Sequence, residues 1–147
     1  MKLYRDRYAG YLDALKKNGL DFDEKLVWHG FENGNFIVSR ELTKVFNEGV
    51  SFDAVLCASD NLAVETIHIL NQLDMKIPED VSIIGYDNVP ISELLVPRLT
   101  AIAQSFKEMG RKAVNVLVDM IEGKTEKKEV RYTFDPTLIE RDTVKSR

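Results

Sequence analysis

Apolar and polar positions along the chain alternate between a helical and an extended period. From Arg5 to Asn18 the apolar residues are Tyr8, Tyr11, Leu12 and Leu15, a helical spacing, and Gly19 follows as a stop. Lys25 to His29 (KLVWH) is a short apolar run that predicts a strand, ended by the polar loop Gly30 to Asn35. A second helix is predicted over Asn35–Asn47, with Val38, Leu42, Val45 and Phe46 on one face and Gly49 after it. Phe52 to Ser59 is nearly continuous in hydrophobicity, as strands covered on both faces are. Asp60 can cap a third helix lined by Ala63, Ile67 and Leu70, and Pro78 bars its continuation.

The next strand lies in DVSIIGYDNVP, residues 80–90, and breaks at Gly85 to set down Asp87 at once. Leu99 to Ala103 reads as another strand. Ser105 and Glu108 form a capping-box pattern for a helix with Met109, Ala113, Val116, Leu117, Met120 and Ile121 on one stripe. Gly123 ends that helix, Val130 to Phe134 alternates as a strand, and residues 136–141 close the pattern. Helices alternating with strands in this way predict an α/β fold, a parallel sheet flanked by helices.

Length and composition fit one ordinary globular domain: 147 residues, 44% apolar and 30% charged. No apolar run approaches the roughly 20 residues of a membrane span, and no signal-peptide pattern opens the sequence. The 20 basic residues are dispersed among 24 acidic ones, with a net charge of -4, so the chain carries no electrostatic footprint for nucleic acid. The single cysteine, Cys57, lies inside an apolar run and reads as a small buried hydrophobe, compatible with a reducing cytoplasm.

Enzyme motifs are missing. There is no nucleophile elbow, no phosphate-cradling loop, no dinucleotide fingerprint and no H-E-x-x-H. His29 and His68 have no cysteine or histidine at ligand spacing, so no metal site and no cofactor is expected. What remains is polar groups at strand ends: Ser59 and Asp60 after one strand, Asp87 and Asn88 after the next, Gln104 after the third, Phe31 and Asn33 after the first. Loops at the carboxyl ends of parallel strands open on one edge of the sheet, where α/β folds place ligands. Carboxylates and amides suit hydroxyls, and an aromatic ring suits the apolar face of a sugar.

Each residue also has a plain structural role to weigh. Asp60 could be a helix cap, Asp87 and Asn88 an Asx-type turn before Pro90, and Phe31 a core residue. Capping one helix explains one of these positions, however, and not four at successive strand ends. A small-ligand binding module therefore leads over an enzyme using the two aspartates as acid and base, since nothing nearby supplies a nucleophile, metal or phosphate cradle.

The stretches FDAVLCASDNLAVETIHIL, KIPEDVSIIGYDNVPISELLVPRLTAIAQSFKEMGRKAVNVLVDMIEG and PTLIERDTV resemble the effector-binding domain of LacI/GalR-type transcription regulators. RYAGYLDAL near the start resembles the first helix of the C-terminal lobe in that family. The resemblance covers nearly the whole chain. It implies the C-terminal lobe of a type I periplasmic-binding-protein-like fold, with residues 1–147 an incomplete effector-binding and dimerisation domain. The helix-turn-helix DNA-binding domain and an N-terminal lobe precede this part in the family and are absent from the sequence, and the helix over 105–123 packs on that lobe.

The resemblance further implies a non-enzymatic, cytoplasmic homodimer that binds a sugar or related polar effector, without a cofactor, and that reaches DNA through the helix-turn-helix. By match to the family's motifs, the effector-binding residues would be Arg7, Phe31, Ser59, Asp60, Asp87, Gln104 and Phe106, with Asp87 accepting hydrogen bonds from effector hydroxyls. Ser59 stands where related regulators often have Asn. The dimer candidates are Leu62, Ile69, Leu94 and Leu95, each of which could equally be core. A periplasmic sugar-binding protein or a sensor input domain of the same fold is the alternative.

Overall fold

Strand β4 (Ser82–Asp87) is the axis of the molecule. In a computed structural model, residues 2–28, 31–32, 35–36, 38–124 and 131–145 are described, without the side chains of residues 2, 3, 31, 32, 35 and 36. Strand β4 pairs in parallel with β3 (Ala54–Leu56) on one side and with β5 (Thr100–Ala103) on the other. Strand β6 (Thr137–Ile139) adds antiparallel to β5, so the four-stranded sheet is mixed, in the order β3-β4-β5-β6.

Alternation along β4 sorts its side chains between the two faces. Ile83 and Gly85 are buried, while Ile84 and Tyr86 are half-buried on the opposite side. Helix α3 (Asp60–Gln72) packs on β4, and α2 (Val38–Asn47) packs on α3. The helical stripe of Ala63, Ile67 and Leu70 closes there on Leu42, Val81, Ile83, Leu99 and Ala101, the centre of the core. Cys57 belongs to this cluster, and burial pushes its thiol up to about 12. It therefore holds no thiolate near neutral pH and offers no nucleophile.

Helix α1 (Lys2–Lys17) keeps Tyr8, Tyr11, Leu12 and Leu15 half-buried and is followed by Gly19 at φ +66°, a left-handed stop that a side chain would strain. Residues 140–145 then stitch the sheet together. Thr143 is fully buried, accepts from the Thr100 N–H at 2.9 Å and donates to the Ile83 carbonyl at 2.7 Å. The Ile83 N–H returns to the Thr143 carbonyl at 2.7 Å.

Several expectations are corrected. The apolar run at Lys25 is not a strand: Asp23 accepts from the Lys25 N–H at 2.9 Å and winds Glu24–Leu26 into a 3-10 turn. Trp28 then turns inward to meet Phe52 edge-on, ring centroids 5.6 Å apart; His29 lies outside the described residues. The second helix starts at Val38, and Asn35–Phe36 (β2) instead pairs antiparallel with Phe31–Glu32 (β1). Strand β3 is not covered on both faces, since Ala54 and Leu56 are exposed at the sheet edge.

The cap of α3 is Ser59 and not Asp60, its hydroxyl accepting from the Leu62 N–H at 3.4 Å. Ser105 occupies the cap position of α5 (Phe106–Ile121) but makes no side-chain capping bond, so the capping box is not formed. Residues 131–136 are irregular where a strand was expected, residues 125–130 lie outside the description, and the last strand is β6. On α5, no residue is buried, and Met109, Val114, Leu117, Val118 and Ile121 are exposed.

Candidate functional site

The carboxyl ends of β3, β4 and β5 bring three chain segments together around Asp87. Arg7 comes from α1. Its Nη2 donates to Asp87 Oδ1 at 3.0 Å, and its Nη1 donates to the carbonyl of Ala58 beyond β3. Gln104, the residue after β5, donates from Nε2 to the same Asp87 Oδ1. The guanidinium carbon lies over the Tyr86 ring, 3.6 Å from its centroid, and 5.9 Å from the ring centroid of Tyr4 on α1. Stacking on an aromatic face suits Arg, whose planar cation is weakly hydrated.

The pair is held but not sealed. The Arg7 side chain is 11% exposed and that of Asp87 24%, so solvent reaches the carboxylate. Arg7 Nε is buried without a hydrogen-bond partner. The backbone at this point is unusual: Asp87 has φ +110° and Asn88 φ +55°. Two successive non-glycine residues in the left-handed half of the map are unfavourable and persist only where the surroundings hold them. Arg141 Nη2 supplies one hold, donating to Asn88 Oδ1 at 2.8 Å.

Asp60 supplies another. It is 1% exposed, and its Oδ2 accepts from the Val89 N–H and from the Ser92 hydroxyl, both at 2.7 Å. Its carboxylate thus points beneath the turn and fixes residues 89–92, the start of α4 (Ile91–Leu94). Its other oxygen, Oδ1, is buried without a partner beside Gly85.

Of the residues singled out by sequence, Arg7, Asp87 and Gln104 converge on one point. Ser59 and Asp60 stand next to it, turned toward α3 and the turn. Phe106, 51% exposed, opens α5, and its N–H donates to the Gln104 carbonyl at 2.8 Å. Phe31 lies in β1, with its side chain and Asn33 outside the described residues. Of the dimer candidates, Ile69 is in the core, Leu62 and Leu95 pack against its edge, and Leu94 stands 76% exposed beside Val96 at 90%. Sequence reasoning missed Tyr86 and Arg141. Tyr86 was readable from alternation, since it must face away from buried Gly85. Arg141 carried no local signal, its partners lying 42, 53 and 48 residues away.

Among the described residues no cluster of His, Cys, Asp and Glu is placed to hold a metal, and no helix is long and apolar enough to cross a membrane. The arrangement offers hydrogen-bond acceptors and donors around a stacked cation, which is the chemistry of recognition. Comparison with known proteins agrees in kind. The family model of the periplasmic binding protein-like domain matches residues 2–144. The HTH-type transcriptional repressor PurR of Pasteurella multocida is 34% identical over 146 residues, 97% of this chain and 42% of the relative.

Among solved structures, a LacI-type transcription regulator from Bifidobacterium animalis subsp. lactis superposes with a TM-score of 0.87 at 30% identity, over 97% of this chain and 51% of that one. The transcriptional regulator CelR in complex with cellobiose gives a TM-score of 0.82 at 31% identity, over 93% and 41%. The chain spans about two fifths of the length of the curated relatives it matches. With its mixed α/β sheet and a polar cluster at the carboxyl ends of the parallel strands, the chain belongs to the periplasmic-binding-protein-like domain family, in the form carried by LacI-type transcription regulators.

Proposed function

We propose that the chain is the effector-sensing and dimerisation part of a cytoplasmic LacI-type regulator, a binding module and not an enzyme, and that its ligand is a small polyhydroxylated molecule of the sugar class. The observation that carries this reading is the Asp87 carboxylate, tied at one oxygen by Arg7 and Gln104 yet open to solvent. Such an anchored acceptor orders hydroxyl donors without first having to be ordered itself. The cellobiose bound by the similar regulator CelR supports the same class of ligand. DNA binding in this reading belongs to the full-length regulator, whose operator affinity the ligand alters through its differential binding to two arrangements of the lobes.

Calorimetric titration with a panel of mono- and disaccharides, cellobiose and lactose among them, tests the reading, with free nucleobases as the non-sugar arm. At least one sugar is expected to bind. Asp87→Asn or Arg7→Ala should then weaken it by about 30-fold, the scale of a charged hydrogen bond lost from a desolvated site. Binding of a nucleobase alone would remove the sugar reading, and a sugar bound with unchanged affinity in both variants would remove Asp87 and Arg7 as its contacts.

The apolar row on α5 points to the rest of the module. Met109, Val114, Leu117, Val118 and Ile121 are all exposed on this one helix, and clustered apolar exposure of this kind marks interaction surfaces. We infer that this helix packs on a companion lobe in the full-length regulator and that, in the isolated chain, a second copy covers it. Sedimentation of the isolated chain is expected to show association that Leu117→Glu abolishes. A monodisperse monomer at tens of micromolar would sink the idea.

A further inference from the structure

We propose that Arg141, far from the ligand edge in sequence, is the positioning residue that aims Asp87, an inference that rests on the reading of Asp87 as the effector contact. The Arg141 side chain is 8% exposed, and a guanidinium withdrawn from water to that extent needs a use for its donors. Nη1 donates to the Leu99 carbonyl at 2.7 Å, just before β5. Nη2 donates to Asn88 Oδ1 at 2.8 Å and to Glu93 Oε1 at 3.1 Å. The root of the arm is fixed as well, because the Arg141 N–H donates to Thr100 Oγ1 at 2.9 Å. One planar fork therefore measures the distance from β5 to the turn that follows β4.

Charge neutralisation of Glu93 does not account for this placement. Glu93 is 69% exposed, where an ion pair contributes little, whereas the bonds to the Leu99 carbonyl and to Asn88 are partly withdrawn from solvent. Asn88 stands in the left-handed region directly after Asp87, which is more strained still at φ +110°. Asp87 is the last paired residue of β4 and shares a peptide bond with Asn88, so a freed Asn88 loosens the backbone at which Asp87 meets Arg7 and Gln104. Asp60 secures the far side of the turn through the Val89 N–H, and Arg141 secures Asn88 itself. A lysine carries three donors on one nitrogen and cannot reproduce the two separated, coplanar nitrogens that meet Leu99 and Asn88 here.

The test needs no ligand. In the ¹⁵N-labelled chain, the Arg7 Nε–H cross-peak reports whether the guanidinium still stands against Asp87, and amide exchange at Asn88 and Val89 reports the turn. In Arg141→Gln the Arg7 cross-peak is expected to shift or broaden. Exchange at Asn88 and Val89 should rise at least tenfold while amides within β4, Ile83 and Ile84, stay within about twofold. Arg141→Lys should restore less than half of the protection, and Glu93→Gln should change none of it.

Asn88→Ala approaches the same bond from the other end and should give the same signature, with Arg141→Gln adding nothing further at Arg7. It also serves as the test if Arg141→Gln fails to fold. An unmoved Arg7 cross-peak in either variant, or exchange raised uniformly through β4 and β5, would overturn the proposal. A chain that shows the expected signature but binds no sugar would leave the positioning role standing and refute the ligand class alone.

Discussion

Gly85→Ala is expected to destabilise the chain by about 2–3 kcal/mol, the cost of overpacking a filled core. The added Cβ would stand 2.4 Å from Asp60 Oδ1 and 2.7 Å from Leu99 Cδ2. Neither neighbour can step aside. Leu99 is fully buried, and Asp60 is held at its other oxygen by the Val89 N–H and the Ser92 hydroxyl. The glycine is thus required by close approach, because its φ is not in the left-handed range. For a chain of this size the shift is about 8 °C in Tm, read by thermal unfolding followed in the far-ultraviolet. A loss below about 0.5 kcal/mol would mean that the floor under the Asp87 turn is softer than the packing indicates.

The second large effect is Asp60→Ala, expected to cost about 3 kcal/mol. It removes the acceptor from two inward-facing donors, and each buried donor left unsatisfied costs about 1–3 kcal/mol. Asp60→Asn keeps one oxygen for those donors and should cost roughly half as much. The two sites also share a boundary. In the Asp60→Ala background the methyl of Gly85→Ala loses its clash with Asp60 and keeps the one with Leu99, so the double variant should be more stable than the sum of the singles by about 1 kcal/mol. Strict additivity would show that the strain of Gly85→Ala falls on Leu99 alone.

These two positions show how far the sequence could be read. The stretch SIIGYD announced a buried strand ending in a carboxylate, because three apolar residues and a glycine admit few other readings. Asp87 and Gln104 stand out at strand ends and Arg7 by resemblance to the family, within a set of seven of which these three side chains meet. The helical stripe of Ala63, Ile67 and Leu70 was legible for the same reason, since periodicity is a local property of the chain.

Misreadings arose where a local pattern fits two structures. The run at Lys25 to His29 has the apolarity of a strand, but the Asp23 carboxylate captures the Lys25 N–H first. Asp60 and Ser59 are both good caps, and the choice between them was made by Ser92 and by the Val89 N–H, about 30 residues away, which draw Asp60 under the turn. The antiparallel course of β6 was likewise illegible, because it depends on where residues 140–145 are pinned by Thr100 and Ile83 and on nothing within β6 itself.

That pinning has a consequence for the order in which the chain can be finished. Arg141 and Thr143 reach back 41 to 60 residues to close bonds on Thr100, Leu99, Asn88 and Ile83. A chain made from its amino end can form α1 and α3 as it emerges, since their bonds are local. Until residues 141–143 have also emerged, the turn that presents Asp87 is braced on the Asp60 side alone. Folding then waits on contacts of long sequence separation, which are the slow ones. A chain cut before residue 141 therefore holds Arg7 and Asp87 without the bond from Arg141 to Asn88 that braces one side of their turn.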